Sequence, residues 1–118
     1  MSALIQRGDN YLIDFDPPKG EEYKAGSEIM KRRPAVVILR DAINKARRTV
    51  MVVPLSFSPQ AVPVFAVPVP SAGPNSVAVC HQISTVNKAT RVLKHIGALS
   101  NEDLRLIERS ITDALALP

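Results

Sequence analysis

From Thr49 to Asn87 the chain carries no Asp, Glu, Lys or Arg. So long a charge-free stretch has to supply much of the interior, because water favours burial of its Val, Ile, Leu and Ala side chains. Prolines at 54, 59, 63, 68, 70 and 74 punctuate it. A proline cannot donate to a sheet ladder, so Val62 to Val69 should form an edge strand or several short pieces. Thr49 to Leu55 reads as a strong strand ending at Pro54-Leu55-Ser56. Ser71-Ala72-Gly73-Pro74-Asn75 reads as a turn. Ser76 to Ile83 reads as a further strand, with Val77, Val79 and His81 on one face and Ala78, Cys80 and Gln82 on the other.

The flanking segments complete a β-rich pattern. Arg7-Gly8-Asp9-Asn10 reads as a turn, because Gly8 and Asn10 tolerate positive φ. Tyr11, Ile13 and Phe15 alternate with Leu12, Asp14 and Asp16, which predicts a strand with one apolar face. Asp16-Pro17-Pro18-Lys19-Gly20 ends it. Glu21 to Arg33 has no period and reads as a long surface loop of the kind that often carries function. Ala35 to Leu39 is a continuous apolar run and reads as a central strand. Asp41-Ala42-Ile43-Asn44 is a turn or one helical turn, followed by basic Lys45, Arg47 and Arg48. His95 stands beside an Ile-Gly turn and reads as structural.

The C-terminal segment has the clearest helical signature. Ser100 is the N-cap, with Asp103 three residues on as a capping box. Leu99 and Leu104 can form a hydrophobic staple. Leu104, Ile107, Ile111 and Leu115 make one apolar stripe. Strands closed by one terminal helix predict a small α+β domain, mainly β and barrel-like.

Composition narrows the functional classes. The 118 residues suggest one domain, residues 1–118, and the net charge of +4 favours an anionic partner. A single cysteine, Cys80, excludes an intrachain disulfide and suits a reducing cytoplasm. Met1 to Asn10 has no apolar core of the kind a signal peptide needs. No apolar run is long enough to cross a bilayer, so no membrane role is expected.

Metal chemistry is poorly supported, because His81, His95 and Cys80 lack ligand-like spacing. Cys80 reads as a small core residue. There is no Gly-rich phosphate loop. Arg33 remains the leading candidate. Pro34 biases it towards extended geometry, and a guanidinium aimed by the strand behind it can fork onto a phosphate. Lys31, Arg32 and Arg33 also admit a plainer reading, as a solvated charge run before a strand. The other candidates are the hydroxyls of Ser27, Ser56 and Ser58, the carboxylate of Glu28, and His81 with Gln82. RNA cleavage needs little more than such a set. The 2′-hydroxyl is an internal nucleophile, so the protein has only to move protons and stabilise the phosphorane.

In order along the chain, the pieces resemble the MazF/PemK (Kid) family of bacterial toxin endoribonucleases. They are Arg7-Gly8-Asp9 before a Tyr-Leu-Ile-Asp strand, Asp16-Pro17, Gly26-Ser27-Glu28, and Arg33-Pro34-Ala35-Val36-Val37. Val52-Val53-Pro54-Leu55-Ser56, Cys80-His81-Gln82-Ile83, Thr85-Val86-Asn87-Lys88 and Ile96-Gly97-Ala98-Leu99-Ser100 follow. The resemblance implies an SH3-like β-barrel with a C-terminal helix and a homodimer. It implies metal-independent cleavage of single-stranded RNA, leaving 2′,3′-cyclic phosphate and 5′-hydroxyl ends. No cofactor is implied, and the implied partner is an acidic antitoxin.

By position, Arg33, Ser56 and His81 are the implied catalytic residues. Ser27, Glu28, Lys31, Arg32, Gln82 and Thr85 are the implied RNA contacts. The chain departs from the family pattern in having Ser56 where Thr is common, His81 for a carboxylate, Val79 where some members have Arg, and a longer Pro18–Gly26 loop. Two other readings of the same fold stay open, a gyrase-inhibitor-type binding protein and a non-cleaving RNA binder.

Overall fold

The computed structural model describes residues 4–15, 32–57 and 65–117. Strands β1 (Asp9–Asp14), β2 (Arg32–Val37) and β3 (Thr49–Ser56) pair antiparallel in that order. A short helix, α1 (Asp41–Ala46), joins the last two and extends the helical turn expected at Asp41. β4 (Ala66–Pro68) and β5 (Val77–Val79) form a hairpin whose β5 pairs with the end of β3. β6 (Ser84–Asn87) pairs with the start of β3. A single helical turn, α2 (Lys88–Arg91), leads into β7 (Val92–Ala98), which returns to pair with β1. The chain ends in α3 (Asn101–Ala114). Among the described residues the ladder runs β4-β5-β3-β2-β1-β7, with β6 beside β3, and its two ends are not bonded to each other.

β2 and β3 are buried on both faces, which explains their near-continuous apolar sequence. Side chains alternate along a strand. Val36, Val53 and Leu55 therefore enter one core with Val69, Ala78, Cys80, Leu99, Leu104 and Ile107. Ala35, Val37, Val50 and Val52 enter a second core with Tyr11 and Ile13. α3 closes the first core. Ile107 has no exposed surface, and truncating such a residue to Ala typically costs roughly 2–5 kcal/mol.

The start of α3 departs from a simple capping box. The Ser100 hydroxyl caps the Asp103 N–H at 3.1 Å, as the sequence predicts. The Asp103 carboxylate, however, does not turn back to the Ser100 N–H. It accepts from the Ser71 N–H at 2.8 Å and from the Ser71 hydroxyl at 2.5 Å. The Ser71 oxygen in turn accepts from the Ser100 N–H at 3.0 Å. A residue from the turn after β4 thus completes the cap and ties the β4–β5 hairpin to α3. Leu99 and Leu104 both enter the core, as a staple requires. The stripe ends earlier than expected, because Leu115 lies past the helix and is exposed.

Three further expectations change. Of the Arg7–Asn10 turn, only Gly8 has positive φ, at 91°, and Asn10 is already in β1. Ile96-Gly97 is not a turn but part of β7, with Gly97 opposite Asn10. The strand expected over Ser76–Ile83 stops at Val79, and Cys80–Gln82 forms a 3-10 turn. β4 is the edge piece that the prolines predict, and Val62–Val64 lie outside the described residues.

Candidate functional site

The register places the candidate residues. β2 lies between β1 and β3, with Ala35 opposite Pro54. Carried two residues further, the same register sets Arg33 opposite Ser56. By alternation both lie on the face of Ala35, Val37, Val50 and Val52, at the rim of the second core. Both are half-buried. Arg33 stands opposite Ile13 on its other side, and Pro34 follows it in extended geometry inside β2. Arg32 points to the other face and is exposed, opposite Asp14.

His81 arrives by a different route. Leu55 faces Ala78, whereas Val52 faces Ser84. Three residues back along β3 (55 − 52 = 3) match six onward on its partner (84 − 78 = 6). Three residues are therefore extra, and they are Cys80, His81 and Gln82 of the 3-10 turn. β5 and β6 thus flank a three-residue bulge beside Val53 and Pro54, against the strand that carries Ser56. Bulges of this kind re-aim side chains at functional sites.

The turn buries Cys80 and exposes His81. Burial pushes the Cys80 thiol up from its ordinary value, with a Ser110 hydrogen bond opposing, so it stays a neutral packing group. His81 Nδ1 lies 3.5 Å from the Phe65 carbonyl oxygen, and Nε2 lies 3.5 Å from Gln82 Nε2.

Phe65 is a further candidate that the strand reading missed. Its carbonyl accepts from the Cys80 N–H at 2.7 Å, and its ring meets the His81 imidazole edge-on at 5.4 Å. A phenylalanine among the prolines of the charge-free stretch was the available signal. Arg91 is another. Its Nη1 lies 4.0 Å from Asp14 Oδ1 and 3.5 Å from the Asp14 carbonyl oxygen, which ties α2 to the end of β1 near Arg33.

Gln82 shares the turn with His81. Thr85 is exposed on β6 opposite Met51, on the face away from Ser56, so the fold does not bring it to the Arg33–Ser56 pair. Ser27, Glu28, Lys31 and Ser58 lie outside the described residues. Among the described residues, no three His, Cys, Asp or Glu side chains are grouped as a metal site.

A family model for PemK-like, MazF-like toxins of type II toxin–antitoxin systems matches residues 6–115. The chain belongs to this toxin family. No functionally curated protein matches it by sequence. Its fold recurs in solved structures of low identity. MazF from Deinococcus radiodurans superposes with a TM-score of 0.82 at 20% identity, covering 98% of this chain and 100% of that one. An endoribonuclease from a mycobacterial species gives 0.76 at 19% identity, covering 100% and 97%. A mycobacterial endoribonuclease in complex with its cognate antitoxin gives 0.71 at 19% identity, covering 96% of each chain. The barrel-like, mainly antiparallel architecture with a C-terminal helix is therefore that of the MazF toxins. In this chain the Arg-Pro pair falls at the head of β2 and the Pro-Leu-Ser run at the end of β3. No helix among the described residues is long and apolar enough to cross a membrane.

Proposed function

We propose that this toxin is an endoribonuclease that cuts single-stranded RNA without a metal cofactor. The 2′-hydroxyl attacks the adjacent phosphate, leaving a 2′,3′-cyclic phosphate and a 5′-hydroxyl. Arg33 stabilises the charge on the phosphorane, the Ser56 hydroxyl hydrogen-bonds a phosphate oxygen, and His81 moves a proton at the 2′- or 5′-oxygen. Gln82 and the Ser27–Arg32 segment contact the RNA. The observation that carries this reading is the cross-strand register of Arg33 and Ser56, with the three-residue bulge that bears His81 on the other side of β3.

The likeness to an antitoxin-bound endoribonuclease supports an antitoxin as the partner. An acidic antitoxin segment would compete with RNA for Arg33 and the cations from Lys45 to Arg48. A homodimer lengthens a groove that is short for several nucleotides on one barrel. The decisive experiment incubates the purified protein with single-stranded RNA in EDTA and identifies the ends by mass. Cyclic-phosphate and 5′-hydroxyl ends support the proposal. RNA that is bound but intact would replace it with the non-cleaving binder.

A further inference from the structure

We propose that a cleft bordering the same core as the Arg33–Ser56 pair is a second nucleotide-binding site, occupied by a nucleotide of the RNA strand. The cleft has a volume of about 510 Å³ and is lined by the N-terminal segment, α1, α2 and β7. This size is in the range of small-molecule sites. Its apolar part includes Tyr11 and Val92, and its polar part includes Lys45, Lys88, Lys94 and His95. Among the described residues no carboxylate lines it, and Asp9 stands beside His95. Lysines beside an apolar floor complement a ligand that is part ring and part phosphate.

Two of the polar groups are held in place. Lys88 donates to the Asn44 carbonyl oxygen. An ammonium carries three donors, so this anchor positions the charge without using it up. His95 Nε2 lies 3.6 Å from Asp9 Oδ1, and the imidazole meets the Tyr11 ring edge-on at 5.1 Å. Asp9 is itself fixed, accepting from the Gln6 N–H at 2.9 Å. His95 keeps about half its side-chain surface exposed, at 53%. An exposed, oriented imidazole is a surface on which a nucleobase can stack.

Position selects RNA as the source of the nucleotide, a choice that rests on the cleavage reading. Val92, at one end of the cleft, faces Ile13, and Ile13 faces Arg33, so that end shares a cross-strand row with the arginine, whereas Lys88 at the other end sits beside Arg48 at the start of β3. Two strand spacings separate Val92 from Arg33, roughly 10 Å, and a strand bound at Arg33 reaches the cleft within several nucleotides. Both positions border the same core. The cleft would set how far from the cut the RNA is held.

The test is an NMR titration of the labelled full chain with AMP, with adenosine and inorganic phosphate as separate probes. AMP should shift the Tyr11, Val92 and His95 resonances and bind more tightly than either part. Lys45 and Lys94 are exposed, so Lys45→Ala/Lys94→Ala should fold normally. It should bind AMP about tenfold or more weakly, the loss expected for two charge-assisted contacts. Arg33→Ala should bind AMP as the wild type does, and a short single-stranded RNA should displace AMP from it. The proposal is overturned by AMP that leaves the cleft resonances unmoved or is indifferent to the lysine pair. Inorganic phosphate that matches AMP, or RNA that fails to displace it, also overturns it. A protein that binds AMP in the cleft but never cuts RNA sinks the cleavage reading alone. One that cuts RNA but ignores AMP sinks the cleft alone.

Discussion

Ser71→Ala should destabilise this protein by more than its exposed position suggests. The Ser71 hydroxyl donates to Asp103 at 2.5 Å and accepts from the Ser100 N–H at 3.0 Å. Asp103 is only 4% exposed, so water cannot readily replace the lost donor. A hydrogen bond to a charged group contributes about 1.5–3 kcal/mol. Ser100 is exposed, so its freed N–H finds water at little cost. The Ser71 N–H still reaches Asp103, at 2.8 Å. The net loss should be about 2 kcal/mol, which at this chain length lowers Tm by roughly 6–10 °C.

The assay is reversible thermal unfolding followed by circular dichroism, run as a cycle with Ser100→Ala. The lost cap in Ser100→Ala should cost about 1 kcal/mol on its own. The two residues share one network, so the double variant should lose less than the sum. A Tm drop under about 2 °C for Ser71→Ala, or strict additivity in the cycle, would refute the shared cap.

Gly8→Ala should cost about 1–2 kcal/mol. Gly8 has φ 91°, a conformation that L side chains resist, and its new methyl would stand 3.4 Å from Leu104 Cδ2; urea denaturation measures the loss. Stability should fall at alkaline pH. Burial raises the Cys80 thiol above its ordinary 9.0, so its contribution is full below that value and is lost as pH rises through the higher folded value. Cys80→Ala should flatten this limb above about pH 9 in unfolding curves; an unchanged limb would discard the thiol as its cause. If His81 takes the 2′-proton, His81→Ala should lower kcat by roughly 10²–10⁴-fold with KM little changed. A raised KM with an unaltered kcat would instead make His81 a substrate contact.

The strands were legible where burial and period agreed. Tyr11 and Ile13 announced β1, and the apolar run after Pro34 announced a strand buried on both faces. Ser100 and Leu99 announced the helix start, because capping and stapling are local. Ser71 was not legible as the third member of that cap, since it comes from a turn far away in sequence. The bulge at Cys80–Gln82 was hidden for a similar reason. Val77 to Gln82 alternates like a continuous strand, and only pairing with β3 on both sides reveals three surplus residues. Arg33 was visible because Pro34 restricts it locally. Its alignment with Ser56 is a property of strand register, which no local pattern encodes. The lysines of the cleft come from three separate elements, so their convergence was invisible.

The central claim is that Arg33, on the inner face of β2, stabilises the transition state, whereas its exposed neighbour Arg32 only attracts RNA. Single-turnover cleavage by Arg33→Ala, Arg32→Ala and the wild type compares them directly. Arg33→Ala should lower the rate on the order of 10²–10³-fold, the loss expected for one preorganised donor. Arg32→Ala should mainly raise KM and weaken its dependence on salt. Equal rate losses in the two variants, or an Arg33→Ala protein that cuts at the wild-type rate, would contradict the account.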